Sequence, residues 1–169
     1  MARCPQHPLR KNNRSGATLI EMAMILLPLI AFVGATFDFA VAITMQNTMQ
    51  YAVRQGVRYA VTSQTMTGMN HDASIKSTVV LNAMGMMNLL IPANSDINSY
   101  ISINYYDPAT LTLMTGSGSN RGGNICQVSV TNLSYKWMVP LLRGAGSLPI
   151  LASSADIMEA SPNGTPPTR

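Results

Sequence analysis

The main feature of the pattern of hydrophobic and polar positions is an apolar run over residues 22–43, interrupted only by Asp38. As an α-helix this run covers roughly 33 Å at 1.5 Å per residue, which matches a bilayer hydrocarbon core of about 30 Å. Pro28 lies inside the run and removes one backbone donor, so we expect a kink that neighbouring helices can accommodate. The pattern predicts a transmembrane helix over residues 17–43, with Asp38 near its outer end.

The helical pattern continues beyond the membrane-length run, over residues 44–63. Apolar side chains recur here at every fourth position, at Met45, Met49, Val53, Val57 and Val61. Gly56 belongs to a row of small residues, and because glycine inside a helix costs about 1 kcal/mol relative to alanine, we expect close packing there. Arg54 and Arg58 lie one turn apart on a face that is either solvated or meets an acidic partner or anionic lipid headgroups. Arg54, Gly56 and Arg58 are therefore a candidate interaction face.

The rest of the chain predicts a shorter helix followed by strands. The second helix begins at Asp72 or Ser74, either of which is a suitable N-cap, and runs to about Leu90. Strand patterns rich in β-branched and aromatic residues follow at residues 97–106, 111–114, 125–137 and 150–158. The predicted fold class is α+β, with three or four antiparallel strands packed against the outer half of the first helix. Residues 44–160 form this domain, and the proline-rich residues 161–169 are expected to be a disordered tail.

Charge is distributed unevenly along the 169 residues. Four basic residues and no acidic one precede Gly16, namely Arg3, Arg10, Lys11 and Arg14, whereas seven basic and seven acidic residues follow it. The neutral remainder offers no basic groove for a phosphate backbone, so nucleic acid is not an expected partner. Positive residues beside a first membrane helix hold that end in the cytoplasm. We therefore expect a cytoplasmic N-terminus and a C-terminal domain on the periplasmic or extracellular side.

Residues suited to catalysis or metal binding are sparse. His71 is the only histidine after residue 16, and its polar surroundings predict a solvated loop residue. The carboxylates are scattered, and the cysteine and histidine spacing of a zinc site is missing from the sequence. Cys126 is expected to be a buried apolar residue, and removal of the first sixteen residues would leave it without a cysteine partner. The sequence predicts no enzymatic activity, cofactor, metal or small-molecule substrate.

Composition leaves three interpretations of the N-terminal segment open. A secretory signal peptide would be cut at the A-x-A triplet of residues 40–42, although Asp38 and the length of the apolar run are unusual for one. An uncleaved signal anchor explains the hydrophobicity and the basic flank. Neither gives a role to Glu21, a carboxylate at the start of a membrane-length helix, where charge is costly. The alternative to a specific role is an interfacial glutamate whose side chain reaches back to the aqueous surface. The third interpretation is a precursor that is cut between Gly16 and Ala17.

The residues around this junction resemble a type IV prepilin, in which a short basic leader ends in glycine and glutamate is the fifth mature residue. Gly16, Ala17 and Glu21 occupy those places, and residues 1–16 correspond to the leader. The resemblance implies cleavage on the cytoplasmic side by a prepilin peptidase, with Glu21 serving recognition and assembly. It also implies that the new ammonium group of Ala17 pairs with Glu21 of the same or a neighbouring subunit, which offsets the desolvation of the carboxylate.

A longer stretch, residues 15–63, resembles the TadE-like proteins, which are minor pilins or pseudopilins of the tight-adherence (Tad, Flp) pilus machinery. The resemblance rests on A-T-L-I-E-M-A from residue 17, an acid near the outer end of the membrane helix, and A-V-R-Q-G-V-R-Y-A from residue 52. Met22 stands where the major Flp pilin has tyrosine, and the mature chain is far longer than that pilin, which favours an accessory subunit.

The resemblance implies residence in the bacterial inner membrane and association with pilin subunits and other Tad pilus-assembly proteins. It leaves open whether the subunit enters the fibre or stays in the membrane. A membrane-tethered or secreted binding module unrelated to pili is the alternative, and it predicts an intact or differently cut N-terminus.

Overall fold

A computed structural model describes residues 15–139 and 143–169, so most of the expected leader, residues 1–14, lies outside the described part of the chain. Helix α1 (Ser15–Val61) is one continuous helix of 47 residues, and Pro28 lies within it. Two shorter helices follow, α2 (His71–Asn82) and α3 (Met86–Leu90). This order confirms the predicted long N-terminal helix followed by a second helical segment.

The strands form one antiparallel sheet. They are β1 (Ile101–Tyr106), β2 (Leu113–Met114), β3 (Ile125–Lys136) and β4 (Ser147–Ile157). Their spatial order is β2-β1-β3-β4. This antiparallel sheet, together with the helices, confirms the predicted α+β fold class. The register of β3 with β4 shifts between Val130 and Leu133, where Asn132 has a φ of 62°. After this irregularity, Tyr135 near the end of β3 contacts Asp38 on α1.

The hydrophobic core lies between the outer half of α1, the sheet and α2. Its α1 contribution consists of fully buried small and flexible side chains, chiefly Met49, Ala52, Val53, Val57 and Ala60. On a neighbouring face, the side-chain amides of Gln46 and Gln50 donate to the backbone carbonyls of Leu151 and Ser153. These bonds satisfy carbonyl groups of β4, which is an edge strand and would otherwise present them unpaired.

Several boundaries differ from the sequence-based prediction. The N-cap of α2 is Asn70, whose Oδ1 accepts a 2.8 Å hydrogen bond from the amide of Ala73, rather than Asp72 or Ser74. The helix also ends early, because Met84 and Gly85 adopt positive φ values of 51° and 76° that separate α2 from α3.

The predicted strands are also adjusted at their ends. Residues Ile97–Tyr100, expected to begin a strand, form a 3₁₀ turn whose N-cap is Asp96. The stretch 111–114 contributes only the two residues of β2, since Leu111 has a positive φ of 53°. Strand β4 starts at Ser147, three positions before the predicted start. The Asp96 cap and the positive φ of Leu111 account for the first two of these differences.

The C-terminal segment differs more strongly from expectation. Residues 161–169 were expected to be disordered, but their end lies against α2 and β1. The carbonyl of Thr168 accepts a 2.8 Å hydrogen bond from the amide of His71, and Arg169 forms a 3.0 Å ion pair with Asp72. The guanidinium of Arg169 also lies over the ring of Tyr105, 4.4 Å from its centroid. Specific polar contacts and a cation–π contact hold this end, even though its composition is that of a flexible tail.

Candidate membrane anchor and assembly site

The N-terminal half of α1 projects from the domain as an exposed apolar rod. Among the described residues, one helix is long and apolar enough to cross a membrane, and it spans Gly16–Val61. None of its most apolar 18-residue window is buried against the rest of the chain. The large side chains left exposed include Leu19, Met22, Ile25, Leu29 and Phe32. Such a surface needs an apolar environment, which a bilayer or neighbouring helices supply.

The predicted processing residues lie on the first turns of this rod. Gly16, Ala17 and Glu21 are all exposed and lie away from the folded domain. A Cβ added at Gly16 would have none of the described residues within 4 Å, apart from its neighbours in the helix. Within the described residues Glu21 forms no salt bridge, so its carboxylate is free to meet a group outside this subunit. Within the part of the chain that the structure describes, the Gly16–Ala17 peptide bond and Glu21 are clear of the folded domain.

Asp38 occupies a site that the sequence predicted only as an acid near the end of the membrane helix. Its side chain is buried, with 2% of its surface exposed. Oδ1 accepts hydrogen bonds from the hydroxyl of Tyr135 (2.6 Å) and the amide of Met138 (3.1 Å), and Oδ2 accepts one from the amide of Val139 (2.8 Å). Burial, together with the hydrogen bond to Asp38 and the charge of its carboxylate, raises the pKa of Tyr135 to about 12. The tyrosine therefore stays protonated and donates to the carboxylate at physiological pH.

The segment that Asp38 binds, residues 137–139, also contacts α1 closer to the N-terminal end of the helix. A Cβ placed on Gly34, one turn before Asp38, would lie 3.1 Å from Cγ2 of Val139. The ring of Trp137 packs against Phe39 at 5.1 Å between centroids, and meets Tyr135 edge-on at 5.7 Å. Backbone, aromatic and carboxylate contacts thus dock residues 137–139 onto the helix within the predicted transmembrane span.

The candidate interaction face divides into two parts. Arg54 and Arg58 are exposed, as expected for one face of α1. Gly56 is buried on another side of the helix, where an added Cβ would lie 2.5 Å from Cγ2 of Val79 on α2. The glycine therefore serves the contact between α1 and α2 inside the domain, and the structure does not bring it together with the two arginines.

A buried polar cluster on the far side of the domain was not predicted. His71, expected to be solvated in a loop, is fully buried at the first position of α2. Its Nδ1 lies 3.3 Å from the hydroxyl of Tyr105 and 3.3 Å from Nδ2 of Asn120. The Tyr105 hydroxyl also donates to Oδ1 of Asp72 at 2.9 Å. No local pattern marks this cluster, because the residues that contact each other in it are 33 to 49 positions apart in the sequence.

The pKa shifts in and beside this cluster favour a structural role over a chemical one. Burial lowers the pKa of His71, against the opposing effect of the neighbouring Asp72 carboxylate, so the imidazole is neutral at pH 7. Burial also raises the pKa of the Cys126 thiol to about 12, which keeps it protonated and unreactive. Within residues 15–139 and 143–169, three or more His, Cys, Asp or Glu side chains nowhere converge to hold a metal ion. The cluster joins α2, β1 and the C-terminal segment into one unit.

Comparison with known proteins supports the resemblance found in the sequence. The family model described as TadE-like protein matches residues 16–58, which is nearly the whole of α1. Curated proteins and solved structures give no significant match. The matched segment contains the exposed rod, Asp38 and the beginning of the core contact. The family consists of structural pilus components and is not known for catalysis.

Proposed function

We propose that this TadE-like chain is a minor pilin or pseudopilin of a Tad pilus assembly system, acting in pilus biogenesis, adhesion or secretion. The observation that carries the proposal is the exposed apolar half of α1, which belongs to the matched segment and projects from a folded α+β domain. A domain that only bound a ligand at a membrane surface would need an anchor, but would not need a glutamate near its start. Pilin-type assembly gives both features a purpose.

Processing comes first in the proposed sequence of events. The basic leader stays in the cytoplasm, and the apolar part of α1 crosses the inner membrane. A prepilin peptidase then cuts between Gly16 and Ala17, an exposed bond on the first turn. The folded domain lies on the periplasmic or extracellular side. Cleavage removes the basic flank that fixed the topology and creates a new ammonium group at Ala17.

Glu21 then acts as an assembly residue. A carboxylate that enters the apolar interior alone loses its hydration, which is costly unless an opposite charge compensates. The ammonium group of Ala17 on the same or an adjacent subunit supplies that charge. Pairing between adjacent subunits would set the axial offset of their helices and keep the exposed apolar rods side by side.

Arg54 and Arg58 supply a second contact in the proposal. They are exposed on the part of α1 that lies within the folded domain, beyond the membrane. An acidic surface on another pilin subunit or Tad assembly protein is the partner that their charge suits. This contact would help to position the domain after the membrane helices have met.

The test compares Glu21→Ala and Glu21→Gln with Glu159→Ala in cells that lack the natural gene. Glu159 is the only other glutamate in the chain, and its side chain is exposed. We expect both Glu21 variants to insert in the membrane and resist alkaline extraction, yet to fail to restore pili or adhesion. The Glu159 variant should behave as the natural chain. Normal piliation with both Glu21 variants would contradict the assembly role.

A further inference from the structure

The length of the free part of α1 leads to an inference about the folded domain, and this inference rests on the proposed membrane-spanning role. Among the described residues, the domain contacts the helix as far toward its N-terminal end as Gly34, through Val139. Residues 17–33 cover only about 25 Å at 1.5 Å per residue, and residues 22–33, beyond Glu21, only about 18 Å. A hydrocarbon core is about 30 Å thick. The free rod is therefore too short, and the bilayer must extend past the level at which the domain begins.

We propose that residues 137–139, held against α1 by Asp38, enter the outer leaflet and form a second contact of this protein with the phospholipid bilayer. A helix that crosses the bilayer from Ala17 leaves the hydrocarbon near Thr36, and one that begins at Met22 leaves it near Val41. Residues 137–139 contact the helix at Gly34, Asp38 and Phe39. These helix positions lie at the level where α1 leaves the hydrocarbon.

The side chains of this segment suit the membrane interface. Trp137 is amphipathic and partly exposed, and tryptophan is enriched at the level of the lipid headgroups. Met138 is apolar and leaves 60% of its surface exposed, so the described chain covers it only in part. Lys136 and Arg143 flank the segment in sequence and are both exposed, so their charges can reach headgroup phosphates.

The hydrogen bonds to Asp38 reduce the energetic cost of this placement. A non-helical segment at membrane depth is unstable unless its backbone groups have partners inside the protein. The amides of Met138 and Val139 both donate to the Asp38 carboxylate, at 3.1 and 2.8 Å. The same bonds, with that from Tyr135, compensate the buried carboxylate. Asp38 thus gives the amides of Met138 and Val139 an acceptor at this depth, and their bonds offset the cost of burying its charge.

The lone tryptophan of the chain provides a direct test, since its emission reports position 137 without labelling. The full chain is reconstituted in phosphatidylcholine–phosphatidylglycerol vesicles, with or without lipids brominated near the headgroup end of the acyl chain. We expect brominated lipid to reduce the Trp137 emission about twofold, and aqueous iodide to leave it nearly unchanged, as for an interfacial indole.

Two relocated tryptophans, each combined with Trp137→Phe, provide the controls. Phe32→Trp lies on the free rod and is quenched by brominated lipid if α1 spans the bilayer. Tyr51→Trp lies about 20 Å beyond Asp38 along the helix and should be quenched by iodide instead. If Phe32→Trp responds to brominated lipid and Trp137 does not, the second lipid contact is wrong, whether water or a second copy of the chain covers the segment. If Phe32→Trp also fails to respond, the membrane anchor is wrong, and the proposed function falls with it.

Discussion

The hydroxyl of Tyr135 donates a 2.6 Å hydrogen bond to the carboxylate of Asp38, which lies 97 positions earlier in the chain. This bond joins the end of β3 to α1 at the level where the helix leaves the domain. Together with the amides of Met138 and Val139, it gives the buried carboxylate three donors. Asp38 therefore holds the end of β3 and residues 138–139 against the membrane helix.

Asp38→Ala should destabilise the domain by about 3 kcal/mol, because it leaves the buried Tyr135 hydroxyl and two part-buried amides without their acceptor. Tyr135→Phe should cost about 1.5 to 3 kcal/mol, the usual value for a hydrogen bond to a charged group. Their effects should not add, and a double-mutant cycle measured by thermal unfolding in detergent should give a coupling of about 1 to 2 kcal/mol. Asp156→Ala, at an exposed acid on β4, should change stability by less than about 0.5 kcal/mol. Additive effects of Asp38→Ala and Tyr135→Phe would show that the bond does not couple the two elements.

Gly56→Ala should destabilise the contact between α1 and α2 by about 1 to 3 kcal/mol, although alanine is the better helix former. The reason is steric, since the added Cβ would lie 2.5 Å from Cγ2 of Val79. Val79→Ala removes the obstructing atom, so Gly56→Ala should cost at least about 1 kcal/mol less in that background. Equal costs in the two backgrounds would mean that Gly56 is not a close-contact position.

His71 should make the free energy of unfolding decrease as the pH falls below about 6.5. Burial lowers the pKa of His71 below its ordinary value of 6.5, so the unfolded chain binds the proton more tightly than the folded one. The contribution of neutral His71 to the free energy of unfolding is fully present above about pH 6.5. It is lost as the pH falls toward the lowered pKa of the folded state. His71→Asn keeps an acceptor near the Nδ1 position but cannot titrate. Chemical unfolding at several pH values should show that the free energy of unfolding of the natural chain declines as the pH falls, and that this decline is missing in the variant. An equal decline in both proteins would exclude His71 as the cause.

Much of the fold could be predicted because its signals are local. The apolar run and the four-residue spacing after it defined α1, whose end at Val61 lies within two residues of the prediction. Alternating and β-branched stretches located the sheet. The row of small residues correctly indicated a close contact at Gly56, since only a residue without a side chain permits this approach of α2.

The contacts that give the site its shape could not be predicted from one sequence. Asp38 was recognised as an unusual acid, but its partner Tyr135 is 97 positions away, and no local pattern links the two. His71 appeared solvated because its neighbours in sequence are polar, whereas the residues that bury it come from β1 and the loop before β3. Arg169 likewise belongs to a segment whose composition indicates disorder, and its contacts with Asp72 and Tyr105 form only in the folded chain.

The mature N-terminus tests the central claim most directly. The natural chain and Gly16→Val are isolated from the membranes of the producing bacterium, and their intact masses are measured. The side chain added at Gly16 begins in open space, so a defect of this variant would report recognition by the peptidase and not misfolding. A mass for a natural chain that begins at Ala17, with the leader retained in Gly16→Val, is the result that a prepilin-type subunit predicts. A natural chain that still begins at Met1, or one that begins at Ile43 after signal-peptide cleavage, would contradict it.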